Sequence, residues 1–292
     1  MPTIQFTLTK TEGKHFAKAN GGNAFYVGTE TVYKGQHGLF NLKISDGPVY
    51  KAEDYEQEFG HWAWFLLPTA KCESNGSFHC LNTYDRAAFT FTFMQFAAHV
   101  PNGDFVQWFR ALLQLPEAKD YFPFLELRNN RIFYVRNNEA RQLEKDGNGG
   151  TAELMKYLNN DIKNIDSQEL ITAARFVHWA QNSPGHRKLQ VSTAVRLFKA
   201  NMHDHSRRFN LDGYPDYICH AICDIFHQGR AKYSLVSEVL SNNSRETAYT
   251  KLVNIGAANY ADRIRVLKAA HKQLRDAGRF GKKYDQANGE FS

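Results

Sequence analysis

Glu73 and Asp85 are the residues of this chain whose types and spacing best suit acid–base chemistry. They bracket a short polar and aromatic stretch. Two carboxyl groups in different surroundings, one kept protonated and one ionised, form the arrangement that cleaves a glycosidic bond. Glu73 follows Trp62, Trp64 and Phe65 and adjoins Cys72, so apolar neighbours are expected to desolvate it and raise its pKa. Asp85 lies among Asn82, Thr83, Tyr84 and Arg86, where donors and a cation favour the ionised form. A surface glutamate and a turn-capping aspartate would give the same spacing, so the pair acquires meaning only from the elements around it.

Those elements are legible in outline. Tyr55, Phe59, Trp62, Phe65 and Leu66 recur at helical spacing, which predicts a helix approaching Pro68 and leaves Glu73 near a helix end. Phe89, Phe91 and Phe93 alternate with threonines and predict an extended run toward Gln95. Phe105 to Leu115 has helical periodicity, and residues 124–135 fold back around Asn129 and Asn130 as a hairpin. From residue 152 to 277 the pattern is almost wholly helical. The chain therefore reads as α+β with helix predominant: a β-rich N-terminal extension (1–50), a main domain (51–278) with a hairpin insertion (120–150), and a flexible tail (279–292).

The sequence has 292 residues, 42% of them hydrophobic and 14% aromatic, enough for a sizeable core and unlike a disordered chain. Lys and Arg number 36 against 30 Asp and Glu, giving +6, with a pI near 9.0. That balance favours an anionic polymer surface as partner. No stretch is apolar enough for a membrane span, and the N-terminal residues lack the pattern of a secretory leader, so synthesis in the cytoplasm is expected. Four cysteines are too few for a disulfide scaffold; Cys72 and Cys80, flanking the Glu73 turn, could pair in an oxidising compartment or remain free.

The segment from Glu73 through Asn82, Thr83, Tyr84, Asp85, Arg86 and Ala87 to Phe91, Thr92, Phe93, Met94, Gln95 and Phe96 resembles the catalytic region of lysozyme-like glycoside hydrolases. These include peptidoglycan-degrading domains of phages and bacteria and, more distantly, chitosanases. The stretch from Ile222 to Arg230 is similar to the helix and turn across the cleft in such proteins. The resemblance implies a bilobal, mainly helical fold with a small β lobe, and hydrolysis of β-1,4 links between amino sugars in bacterial cell-wall glycan. It implies Glu73 as general acid and Asp85 as base or electrostatic stabiliser. It further implies saccharide contacts from Asn82, Thr83, Tyr84, Thr92, Gln95 and Trp62, with Trp108 as a further ring that could stack on a sugar face and Asp224 as another cleft residue, and no cofactor or metal. One departure is evident: a glycine is common just before the glutamine in that family, and Thr92, Phe93 and Met94 supply none. The same resemblance implies action in the periplasm or at the cell wall, after holin-type release of a phage lysis protein or delivery by a secretion machine.

Other constellations are weaker. Cys219, Cys223 and His227 share a helix face, with His220, His203 and His205 nearby; a buried helix core explains them better than zinc does. The basic C-terminal third lacks a recognisable nucleic-acid motif. Lytic transglycosylation, chitosan cleavage, and a non-catalytic glycan- or nucleic-acid-binding or structural role remain the alternatives to muramidase-like hydrolysis.

Overall fold

The computed structural model describes residues 3–42 and 46–292; positions 1, 2 and 43–45 of the expected N-terminal segment lie outside the described residues. The chain begins with β1 (Phe6–Thr11), β2 (Lys14–Ala19), β3 (Ala24–Tyr33) and β4 (Gln36–Phe40). It continues through α1 (Glu53–Phe59) and α2 (His61–Ser74) and returns to sheet in β5 (Leu81–Asn82), β6 (Thr90–Phe91) and β7 (Phe96–Ala97). Helices α3 (Asp104–Leu112) and α4 (Ala118–Tyr121) lead to β8 (Leu125–Arg128), β9 (Arg131–Arg136) and β10 (Glu139–Gln142). Next come α5 (Ala152–Leu158), α6 (Ser167–Asn182), α7 (Pro184–Phe209), α8 (Asp216–Gln228), α9 (Tyr233–Ser241), α10 (Arg245–Val253) and α11 (Ala261–Asp276). A final pair, β11 (Tyr284–Asp285) and β12 (Glu290–Phe291), ends the chain. The fold is mixed α+β and predominantly helical, with antiparallel sheets.

Two-residue turns set the hairpins. Glu12–Gly13, Lys34–Gly35, Asn129–Asn130 and Asn137–Asn138 all hold positive φ at both positions, the conformation whose twist matches that of paired strands. Asparagine tolerates this backbone better than most side chains. The expected hairpin is therefore present, extended by a third strand through the second Asn-Asn pair.

The chain divides into two compact units, residues 1–49 with 74–193, and residues 50–73 with 194–292. In the first, β1 to β7 form one antiparallel meander in sequence order. The expected N-terminal extension is thus not an appendage: β4 pairs with β5 through Phe40 and Asn82. The core of this unit centres on Phe176 of α6, whose ring meets those of Phe89, Phe91, Phe105, Trp108, Phe109 and Phe122 at centroid separations of 5.0–6.1 Å. Trp108, a candidate sugar platform by sequence, is fully buried there. A buried fork joins α3 to the segment after β10, with Arg110 donating to both oxygens of Glu144 at 3.0 and 2.7 Å.

The second unit is helical. Helix α2 runs through Pro68, which lacks the N–H that would bond the Trp64 carbonyl, and still carries the chain to Ser74. Its Trp62 and Phe65 pack on Phe291 at 5.2 and 5.0 Å. The expected flexible tail is instead ordered. Tyr284 and Phe291 are buried, and Asp216 accepts the backbone N–H groups of Gly281 and Lys282. Among the described residues, no helix is long and apolar enough to cross a membrane.

Candidate active site

Three helices of the second unit converge their polar faces. Helix α2 supplies Thr69 and Glu73, one turn apart; α8 supplies His220, Asp224 and His227, spaced one turn each; α11 supplies Arg263 and His271, two turns apart. Arg263 lies between two carboxylates. Its Nη1 donates to Glu73 Oε1 at 2.7 Å, its Nη2 to Asp224 Oδ1 at 2.6 Å, and its Nε to Asp224 Oδ2 at 3.3 Å. Arg230 donates to Asp224 Oδ2 at 2.7 Å and to the Ile255 carbonyl at 2.6 Å. His227 Nε2 stands 3.4 Å from Glu73 Oε1.

This cluster is close to charge-balanced, which is what permits its burial: two carboxylates face two guanidiniums. Burial pushes the Asp224 and Glu73 carboxyls up, but their partners more than offset it. Arg263 beside Asp224 holds that carboxyl well below the usual carboxylate range. The His227 hydrogen bond and the Arg263 charge hold Glu73 below its ordinary value. Burial pushes His227 down, yet its bond to Glu73 raises it overall. The expectation of a glutamic acid raised by apolar neighbours is therefore corrected: Glu73 rests ionised beside a histidine inclined to hold a proton. The side chains of both are 14% exposed, whereas Asp224 and Arg230 are fully enclosed. Among the described residues Glu73 Oε2 receives no hydrogen bond, so one oxygen of the carboxylate is left for another molecule.

A buried relay runs on from Asp224. Thr69 Oγ1 donates to Asp224 Oδ1 at 2.9 Å and lies 3.2 Å from His220 Nε2. His220 Nδ1 is 2.8 Å from His271 Nε2, and His271 Nδ1 is 3.1 Å from the Tyr249 hydroxyl. Burial pushes His220 down to about 4 and His271 well below its usual value, so both are neutral near pH 7. An ionised Asp224 can only accept. Thr69 spends its proton on Asp224 and must accept from His220 Nε2–H; His220 Nδ1 then accepts from His271 Nε2–H, and His271 Nδ1 accepts from Tyr249. A single set of tautomers satisfies every bond, with each donor pointing toward Asp224.

The remaining sequence candidates have other engagements. Trp62 is 1% exposed and its indole N–H donates to Glu290 at 2.7 Å, so it is a core residue and not a sugar platform. Asp224 is wholly buried between two arginines and serves the cluster from behind, not as a saccharide contact. Thr83 is buried in the first unit, where it accepts from the Leu39 backbone N–H at 2.6 Å and bonds Glu169, which removes it from a saccharide surface. Thr92 is also buried, its hydroxyl accepting from the Met94 and Phe96 N–H groups. Asp85 closes the turn between β5 and β6, accepting from Ala87 N at 2.8 Å and from Asn82 at 3.2 Å. It remains partly exposed, as do Asn82, Tyr84 and Gln95. Tyr84 meets Tyr33 and Phe40 edge-on, and Gln95 donates to the Cys80 and Thr92 carbonyls.

Thr92 has φ 90°, a left-handed backbone that a β-branched residue adopts only under strain. Glycine would adopt this backbone without that strain. All four cysteines are free thiols. Cys219 bonds the Tyr214 carbonyl and Cys223 contacts Met202, both within the helical core. Among the described residues no group of three or more His, Cys, Asp or Glu side chains is arranged to hold a metal ion. Compared with known proteins, the chain matches no family model, no curated protein and no solved structure.

Proposed function

We propose that this protein is a glycoside hydrolase of lysozyme-like, bilobal type that cleaves the β-1,4-linked glycan of bacterial cell walls, with Glu73 as its proton-transferring carboxyl. The observation that carries the reading is the Glu73 carboxylate at the C-terminal end of α2. Its Oε1 is fixed by Arg263 and approached by His227, while its Oε2 has no hydrogen-bond partner among the described residues. General acid catalysis needs a proton at that carboxyl when the leaving-group oxygen is presented. His227, 3.4 Å away and raised by its bond to Glu73, is the proposed proton source: it recharges Glu73, and Glu73 delivers to the glycosidic oxygen. The glycine-like backbone of Thr92 before Gln95, together with the net charge of +6, supports the same reading and an anionic wall polymer as substrate. Asp85 is proposed as the base or electrostatic stabiliser. Delivery to the wall by a phage or secretion machine belongs to this proposal as well.

Purified variants on isolated sacculi test the assignment. Glu73→Gln is expected to lower the rate of solubilisation by about 10²–10⁴-fold, the usual contribution of a positioned acid. His227→Asn is expected to lower it less and to shift the alkaline limb of the pH profile to lower pH, because the limb then reports loss of the Glu73 proton instead of the imidazole proton. Full activity in Glu73→Gln would exclude Glu73, and an unchanged alkaline limb in His227→Asn would exclude the relay.

A further inference from the structure

In the first unit a cleft of about 420 Å³ opens between the β8–β10 sheet and helices α5 and α6, within the size range of small-ligand sites, roughly 300–1,000 Å³. One wall is aromatic. Phe124, 40% exposed, meets Tyr134 at 5.9 Å, and Tyr134 meets Tyr157 at 5.9 Å. Beside Asn160 and Gln168, the other contributors are cationic: Arg141, Lys156 and Arg175, with no acidic residue among the lining side chains. Arg141 lies 5.9 Å from the Tyr134 ring centroid and engages Glu153 in an exposed pair, a contact worth only about 0–1 kcal/mol and easily exchanged. Arg175 keeps a buried Nε–H with no partner. Gln168 spends its amide N–H groups on the Lys156 and Tyr157 carbonyls, which fixes the side chain and leaves its oxygen as an acceptor.

We propose that this cleft binds an acidic saccharide, a pyranose carrying a carboxylate or phosphate. Aromatic rings accept the apolar face of a sugar, guanidinium and ammonium groups take the anion, and a fixed amide oxygen takes a hydroxyl. The ring geometry separates a sugar from a nucleobase. Neighbouring rings are inclined by 55° and 52°, so they cannot sandwich a flat base but offer successive inclined faces along one wall. The site is independent of Glu73 and would hold equally for a chain that cleaves nothing.

The test is titration of the full wild-type chain with monosaccharides, which contain no bond to cleave, followed by backbone amide shifts in NMR. N-acetylmuramic acid and glucose 6-phosphate represent the two anion types, N-acetylglucosamine the neutral sugar, and inorganic phosphate and oligothymidylate the competing ligands. Saturable binding of at least one acidic sugar is expected, about tenfold or more tighter than the neutral one. Shift changes should be confined to residues 124–175. Arg141→Ala and Lys156→Ala, both at exposed positions that leave the core intact, should each weaken binding several-fold. Absence of saturable binding by either acidic sugar would overturn the proposal. So would equal binding of the neutral sugar, phosphate or oligothymidylate binding as tightly as the acidic sugars, or shift changes elsewhere.

Discussion

Replacing Arg263 with Met is expected to destabilise the protein by about 3–5 kcal/mol and to abolish the chemistry assigned to Glu73. Among the described residues Arg263 is the one side chain that bonds both Glu73 and Asp224, and its own side chain is 8% exposed. Removing it strips Glu73 of its guanidinium and Asp224 of one of its two, so each carboxylate loses charge-assisted hydrogen bonds that water cannot readily replace at this depth. The double variant Arg263→Met with Glu73→Gln removes the carboxylate left without a guanidinium while Asp224 keeps Arg230, and is expected to recover part of the stability but none of the activity. Arg263→Lys should fall between: a single ammonium cannot span both carboxylates as the fork does. Equilibrium unfolding in denaturant reads the stabilities. A loss below about 1 kcal/mol in the Met variant would mean that the cluster is solvated and its charges are screened.

Glu169→Gln is expected to do the opposite, stabilising the protein at alkaline pH while leaving it unchanged in acid. Glu169 is fully buried at the start of α6, bonded to Thr83 through one oxygen, while the other has no partner. Burial, only partly offset by the Thr83 bond, pushes its carboxyl up to about 8. An unfolded glutamate titrates near 4.3. Between those values the folded state holds a proton that the unfolded state has released, so the folded state binds more and stability falls as pH rises through this window. Below about pH 4 both states are protonated and the group contributes no slope. A glutamine cannot ionise, so its advantage should grow across the window to an order of about 2–5 kcal/mol above pH 8. Unfolding free energies at pH 5 and pH 8.5 provide the measurement. An equal difference at both values would show that Glu169 does not change protonation on folding.

Much of the scaffold was legible because it rests on local chemistry. The Asn129–Asn130 turn, the helix approaching Glu73 and the helical run from residue 152 follow from left-handed turn tolerance and apolar periodicity. The same Asn-Asn signal at 137–138 was available for the third strand. Other features depend on distant partners and leave no local mark. The first sheet is continuous because the β4 segment meets the β5 segment around Phe40 and Asn82, and the last residues are ordered because Asp216 bonds Gly281 and Lys282.

The candidate site divides in the same way. Glu73 stood out by type and position, but its pKa direction was misread because Arg263 lies 190 positions away. On α8 the spacing groups His227 with Cys219 and Cys223, whereas the other α8 members of its cluster are Asp224 and, through Thr69, His220. Glu169 follows Asp166 at capping spacing, and Asp166 does cap the helix by accepting the Glu169 N–H; the glutamate side chain turns inward to Thr83 instead. Trp62 and Trp108 illustrate the same limit: residue type alone does not separate a sugar platform from a core ring.

The most direct measurement of the central claim is product analysis after purified wild-type protein is incubated with isolated sacculi. Hydrolysis should release soluble wall fragments whose masses show one added water per cleaved glycosidic bond. Sacculi that stay intact, with no new reducing ends, would contradict the assignment of this protein as a wall-glycan hydrolase.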